Sequence, residues 1–369
     1  MLRKLLIGLF FLLLLIPQVQ AFETFTSSGK VLELIDTNEL ERDGHLSEMV
    51  HPGDSLKMQL LKVEVAGQEV EIENYLEGGP FDMEFKAGDQ VFLQVSKLDD
   101  GSMEYEIRDR WYLDQLFWLS LIVLALIILF GGKQALKALL ALFLSALLIF
   151  FFFIPMVEKG YTPSLLTLIT SFLITLVSLV IILGFSRKTM TAVLGTFGGV
   201  IFAILLGYLG GIVFLKLNGL GAEDSRILAA SFSEYNFSGI LLSGFVIGAL
   251  GACMDVAVSI ASSLDELCKH HPHISSGELF SSGMRIGRDV LGSMLNTLIF
   301  AYVGASLTLV LLLFKSGSSI VEILNYGFIV EEIVRSLIGA LGLAATIPVT
   351  AVCAAYFYGK KGLGNPACP

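Results

Sequence analysis

Asp255 is a carboxylate inside a long apolar run. Gly248, Gly251, Ala252, Asp255, Ser259 and Ser262 recur at i, i+3, i+4, i+7, i+11 and i+14. That spacing places all six on one face of a helix. Small residues there let a neighbouring helix approach closely. A bare carboxylate at membrane depth costs about 2.5–3.5 kcal/mol, so it must face protein or water, be paired, or carry a proton. The chemistry open to it is contact with an ion, a proton or a polar solute. The structural alternative is a hydrogen bond that locks two helices.

A second constellation follows downstream. Arg285, Asp289, Gly292 and Asn296 stand at i, i+4, i+7 and i+11, with Ser293 and Thr297 beside them. Counted from the basic side, Asn296 lies about as deep in its segment as Asp255, which is about 12 Å from the end of its own. Asp255 and Asn296 are therefore expected to meet across two spans. Asp255, Ser259, Asn296 and Thr297 are the candidate lining of a solute or ion pathway. Arg285, Arg288 and Asp289 are candidate interfacial charges, with Asp265 and Glu266 in reach of the arginines. Further along, Glu331 and Arg335 are spaced as an i, i+4 ion pair. Pro348 between Thr346 and Thr350 predicts a kink or a cavity wall.

Other clusters are weaker. Cys268 precedes Lys269-His270-His271-Pro272-His273, but these residues sit in one short stretch without a second set of ligands. They read as a solvated loop, and no metal or other cofactor is expected. Cys253, Cys268, Cys353 and Cys368 lack redox or zinc spacing. No phosphate-binding loop, His-Glu-x-x-His helix or nucleophile elbow occurs, so the chain is not expected to be an enzyme.

These residues need a frame. Of 369 residues, 54% are hydrophobic and only 16% charged, with a mean hydropathy of +0.76. A soluble chain carries about 25% charged residues. The formal charge is −10, and residues 22–110 account for it with 21 acidic and 8 basic side chains, −13, against +3 for the rest. An acidic segment of that kind excludes nucleic acid as a partner.

Residues 1–21 read as a signal peptide or an amino-terminal anchor: Arg3 and Lys4, an apolar stretch, Pro17, then a small-residue site at Ala21. Residues 22–110 alternate with period two between Gly, Asp and Pro turns. That pattern predicts about five strands in a small all-β domain, a sandwich or a barrel of OB-like type. His45 and His51 fall in its loops.

From residue 111 to 369 the chain reads as a transmembrane α-helical domain. Seven apolar segments are expected, at about 112–130, 135–155, 164–184, 190–214, 239–263, 289–314 and 334–357, each exceeding the ~17 residues that span a bilayer. With the acidic domain exported, the inner loops hold nine Lys or Arg and the outer loops four. This obeys the positive-inside rule and puts the carboxyl terminus in the cytoplasm. One echo is visible: Ile247-Gly-Ala-Leu-Gly251 returns as Ile338-Gly-Ala-Leu-Gly342. It fits a transporter-type repeat or recurrent small-residue packing.

The stretches Gly248-Ala-Leu-Gly-Ala-Cys-Met-Asp-Val-Ala-Val-Ser-Ile-Ala-Ser-Ser263 and Ser282-Gly-Met-Arg-Ile-Gly-Arg-Asp-Val-Leu-Gly-Ser-Met-Leu-Asn-Thr-Leu298 resemble the YibE/YibF family of bacterial membrane proteins. Ala301-Tyr-Val-Gly304 and Ile347-Pro-Val-Thr-Ala351 extend the likeness. The resemblance implies an exported amino-terminal β region followed by several spans in a bacterial cell membrane. It marks Asp255, Ser259, Arg288, Asp289 and Asn296 as motif positions and names no substrate. Two functions lead on these residues, ahead of a membrane-embedded enzyme with a catalytic carboxylate. One is a permease, secondary transporter or channel-like, for a solute or ion. The other is a non-transporting scaffold or envelope sensor acting through the exported domain. The bilayer is the first partner in either case, with a homo-oligomer or a related membrane protein as a further one.

Overall fold

The computed structural model describes residues 24–39, 57–76, 82–97 and 102–359. The expectations for the signal or anchor at 1–21, for His45 and His51, and for Cys368 lie outside them. The described residues divide into two compact units, one from Thr24 to Leu129 and one from Phe130 to Gly359.

The first unit contains a five-stranded antiparallel sheet in the order β3-β2-β1-β4-β5. Its strands are β1 (Thr24–Glu39), β2 (Lys57–Val65), β3 (Gln68–Leu76), β4 (Gln90–Lys97) and β5 (Met103–Arg110). The long β1 pairs with β2 through one part of its length and with β4 through another, and its register shifts between Val31 and Glu33 and between Leu34 and Asp36. Such bulges bend a strand and raise its twist. The sheet therefore curls into a half-barrel whose edge strands β3 and β5 approach each other. Period-two alternation turns Leu61, Val63, Ile72, Val91 and Leu93 inward around Phe85. Gln59 and Asn74 pin the segment before β4. The Phe85 N–H donates to Gln59 Oε1 at 3.1 Å, and Asn74 Nδ2 donates to the Met83 carbonyl at 2.8 Å. On the solvent side Lys62 meets Glu69 at 2.6 Å, and that hydrogen bond to the carboxylate holds the ammonium above the ordinary lysine range.

The helical elements are α1 (Leu113–Glu158), α2 (Pro163–Leu183), α3 (Arg187–Phe214), α4 (Glu223–Ser231), α5 (Phe237–His270), α6 (Ser276–Ala305), α7 (Leu307–Lys315), α8 (Ile320–Ile323) and α9 (Gly327–Tyr358). Five of them, α1, α2, α3, α5 and α9, are long and apolar enough to cross a membrane, and the bent pair α6 and α7 makes six. The expected seven segments depart from these elements at two places, once in number and once in boundary. Segments 112–130 and 135–155 fall within the single element α1, broken at Gly132, whose φ of 56° and ψ of −140° are open mainly to glycine. Hydropathy marks the charges after Gly132 as a loop, whereas helical backbone continues on both sides of that one residue. The segment expected at 289–314 instead starts at Ser276 and bends by 60° between Ala305 and Leu307.

The start of α6 has a local cause. Ser275 accepts from the Glu278 N–H at 3.2 Å and Glu278 returns a carboxylate to the Ser275 N–H at 2.9 Å. This capping box satisfies two backbone donors before the apolar stretch begins. At the other end α9 keeps Pro348 within a continuous helix.

In the second unit α9 packs against α3, α5 and α6, and α5 against α2 and α3. The tightest seam is α3 on α9. Gly195 and Gly199 lie directly on Thr350 and Thr346, so a Cβ at either position has no room. Ala203 and Gly342 continue the close approach. Thr346 and Thr350 donate to the carbonyls of Gly342 and Thr346 in their own helix at 2.9 and 2.6 Å. Their buried hydroxyls are thereby satisfied, and the Thr346–Pro348–Thr350 stretch serves packing. The two helices run antiparallel, since Gly207 and Gly211 meet Ile338 and Val334 further along.

Candidate functional site

Helix α5 turns two faces in different directions. Its apolar face, with Phe245, Val246, Leu250, Val256, Ile260 and Leu264, is buried among α2, α3, α6 and α9. The other face carries Gly244, Gly248, Gly251 and Asp255, all exposed, with Ala252, Ser259 and Ser262 half-buried. Gly248 lies under the hydroxyl of Tyr302. Beside Gly244 and Gly251 there is open space. The six small and polar residues therefore share a face, and its middle is uncovered.

Helix α6 runs antiparallel to α5. Gly283 touches Leu264, Gly287 touches Ile260, and Tyr302 reaches Gly248. This register sets Asp255 level with Gly292 to Met294, about one turn from Asn296. Leu279, Gly283, Gly287 and Leu298 make the inward face of α6. Arg285, Arg288, Asp289, Gly292, Ser293, Asn296 and Thr297 are exposed on the rest of its circumference. The face predicted for α6 is present, and it turns away from the bundle.

The expected junction of Asp255 with Asn296 is thus not made within one chain. The two residues occupy neighbouring helices at similar height, but no hydrogen bond joins them. Among the described residues Asp255, Arg285, Arg288, Asp289 and Asn296 have no hydrogen bond or ion pair. Thr297 and Ser293 differ, because their hydroxyls donate to the Ser293 and Val290 carbonyls at 3.1 and 2.9 Å. The arginines are also not paired with Asp265 and Glu266. Asp265 takes Lys269 at 3.0 Å and the Tyr358 hydroxyl at 3.1 Å, while Glu266 takes Lys269 and His270, each at 3.2 Å. Helical i+3 and i+4 neighbours win over residues that α6 holds on its outer face.

Two features, one polar and one largely apolar, are more elaborate than the spacing of residues suggests. Glu331 is 6% exposed and accepts from the Gly221 N–H at 3.0 Å, across 110 residues. The ion pair of α9 is instead Arg335 with Glu332, at 3.1 Å, with the guanidinium 5.7 Å over the Phe245 ring. The spacing rule names i+4 and i+3 partners equally, and the folded loop before α4 decides between them. The second feature is a cavity of about 370 Å³ at the bend between α6 and α7, walled by Leu309, Leu313, Ile329 and Ile333, with Tyr302 and Glu332 at its polar edge. The Tyr302 hydroxyl and Arg335 Nε are buried without a partner among the described residues. Ser306 and the Ser316-Gly317-Ser318-Ser319 run were the available signals for that bend.

Cys253 and Cys268 are buried and Cys353 is half-buried, and none of the three forms a disulfide among the described residues. His271 and His273 line an open cleft with Glu278. Among the described residues no three His, Cys, Asp or Glu side chains gather as a metal site.

A family model described as YibE/F-like protein matches residues 119–360. The chain belongs to the YibE/F-like family. The match starts inside α1 and runs past the end of α9, so the family region holds the helices and leaves the β half-barrel outside it. No curated relative and no solved structure matches the chain. Family and apolar helices together point to a multi-pass membrane protein. Within the YibE/F-like region, Asp255 of α5 and Arg285, Arg288, Asp289 and Asn296 of α6 are among the exposed polar residues without a partner.

Proposed function

We propose that this YibE/F-like protein is a permease, a secondary transporter or channel-like protein for a solute or ion, whose polar pathway runs along α5 and α6. The observation that carries the reading is the set Asp255, Arg285, Arg288, Asp289 and Asn296. Each is exposed and unpaired among the described residues, on two neighbouring apolar helices. In a bilayer such groups line a route for water, ions or solute, or meet another protein. Asp255 is the ion or proton site in this reading, with Ser259, Asn296 and Thr297 as polar lining. The activity is non-enzymatic and uses no cofactor. The half-barrel lies outside a bacterial cell membrane and the carboxyl terminus inside, as the Lys and Arg distribution favours.

The test is flux in liposomes containing the purified protein, screened over cations, anions and protons. Asp255→Asn is expected to abolish the flux while the protein inserts and elutes normally. Unchanged flux in that variant removes Asp255 from the mechanism.

One observation favours the second reading, a scaffold or sensor working through the half-barrel. Glu69, Glu71 and Glu73 project along the exposed edge strand β3. Charged edges also guard a sheet against pairing with others, which is their ordinary structural use. Removing 22–110 abolishes the cellular function under the scaffold reading and leaves flux in liposomes under the permease reading.

A further inference from the structure

We infer that the outward face of α6 is closed by α6 of a second copy of this chain, so that the polar pathway is lined by two protomers. The inference rests on the permease reading only for what the shared face does. The assembly itself is argued from the face.

The face has three properties that together select a second copy. First, it carries both signs: Arg285 and Arg288 stand beside Asp289 on the exposed side of α6, and none is paired within the chain. A two-fold interface brings the same patch of both subunits together, residue i of one against residue j of the other. Here that operation sets the arginines of each copy against the aspartate of the other, so the patch is complementary to itself. Second, the centre of the face is small. A side chain at Gly292 would meet nothing, and the same holds at Gly244 and Gly251 on the neighbouring face of α5. Small residues at such positions allow helix backbones to approach in a membrane. Third, the polarity continues past the charges into the apolar part of the helix, where Asn296 is exposed without a hydrogen bond. Lipid offers Asn296 nothing, whereas the same amide across a two-fold axis can donate and accept. The rest of the helical surface contrasts with this patch, since α1, α3 and α7 expose Leu142, Phe143, Ile201, Phe202, Leu311 and Leu312.

The experiment uses the full chain in bilayer nanodiscs and two differently tagged copies. Wild-type copies are expected to co-purify as a dimer. Asp289→Arg alone, and Arg285→Asp alone, each set like charges across the axis and are expected to weaken self-association by roughly tenfold or more. Co-expressed, the Asp289→Arg and Arg285→Asp chains face each other with opposite charges and should recover the pair. That recovery is one that a charge acting only within its own helix does not produce. In a background with the native cysteines replaced by Ala, Gly292→Cys should cross-link between copies on oxidation, and Leu142→Cys on the apolar surface of α1 should not. A monomeric wild type, absence of recovery in the mixed pair, or cross-linking at Leu142→Cys without any at Gly292→Cys would each overturn the inference. A dimer that conducts nothing keeps this assembly and removes the permease reading. Flux from a monomer keeps the permease and removes the assembly.

Discussion

The α3–α9 seam and the outer face of α5 and α6 use the same kinds of residue to opposite ends. Both alternate Gly with Ser, Thr or another polar side chain on one helical face. At the seam, Gly195 and Gly199 receive Thr350 and Thr346, and each threonine hydroxyl is spent on its own helix. On the outer face Gly251 and Gly292 receive nothing, and Asp255 and Asn296 have no partner. Small residues beside polar ones therefore do not by themselves mark a site in a membrane helix. What separates packing from chemistry is whether the polar group can be satisfied one turn back. At the seam Thr346 and Thr350 reach the i−4 carbonyl and go quiet. Asp, Asn and Arg cannot be silenced so cheaply, and in an apolar medium they need a partner, water or a proton.

That contrast can be broken at the seam first. Gly199→Val puts a branched side chain where Thr346 already lies. Overpacking of this kind costs about 1–3 kcal/mol and sometimes more. The expected result is loss of folded protein, read as a collapsed gel-filtration peak and a lower thermal midpoint. The same substitution at Gly292, which faces open space, should leave the midpoint of the monomer unchanged. Equal damage at both positions would erase the distinction.

Next in size is the buried carboxylate of α9. Glu331→Ala leaves the Gly221 N–H without its acceptor, a loss of about 1–3 kcal/mol by the usual cost of an orphaned buried donor. Glu331→Gln keeps an acceptor oxygen and should recover most of that in a thermal melt. Neither is expected to affect ion selectivity, because Glu331 is engaged structurally.

Smaller still are the hydroxyls. Thr346→Val removes a hydrogen bond made within one helix and preserves shape, so a change of about 1 kcal/mol or less is expected. Asn296→Leu on α6 should be neutral or slightly stabilising for the single chain, since it replaces an unpaired amide with an apolar group. Its effect should appear in flux and in association between copies. A destabilised monomer from Asn296→Leu would mean that the amide has a partner in its own chain.

Much of this was legible in sequence. Hydropathy located the apolar helices, and helical spacing assigned Asp255 to one face and Asn296 to another. Period two and turn chemistry gave the five strands. The echo of Ile-Gly-Ala-Leu-Gly finds a use in packing, because Gly339 of the second copy of the motif lies against Ala249 of the first. What escaped depends on neighbours. Helical spacing tells which residues share a face, but not whether another helix covers it, so the outward turn of α6 was not readable from Arg285, Asp289 and Asn296. The choice of Glu332 over Glu331 by Arg335 is set by Gly221, far away in the chain. The true start of α6 was within reach, because Ser275-x-x-Glu278 is a capping box, but hydropathy alone places the boundary at the first uncharged stretch. The break between the expected segments 112–130 and 135–155 is present at Gly132; what escaped is its brevity, since one residue with a positive φ makes it.

The central claim is that the unpaired polar face of α5 and α6 conducts while the satisfied polar seam of α3 and α9 holds the helices together. Its most direct test compares Asp255→Asn with Thr346→Val in liposomes, at matched insertion, against wild type. The account predicts flux near the wild-type level for Thr346→Val and none above empty liposomes for Asp255→Asn. Equal flux from both variants and the wild type would contradict it.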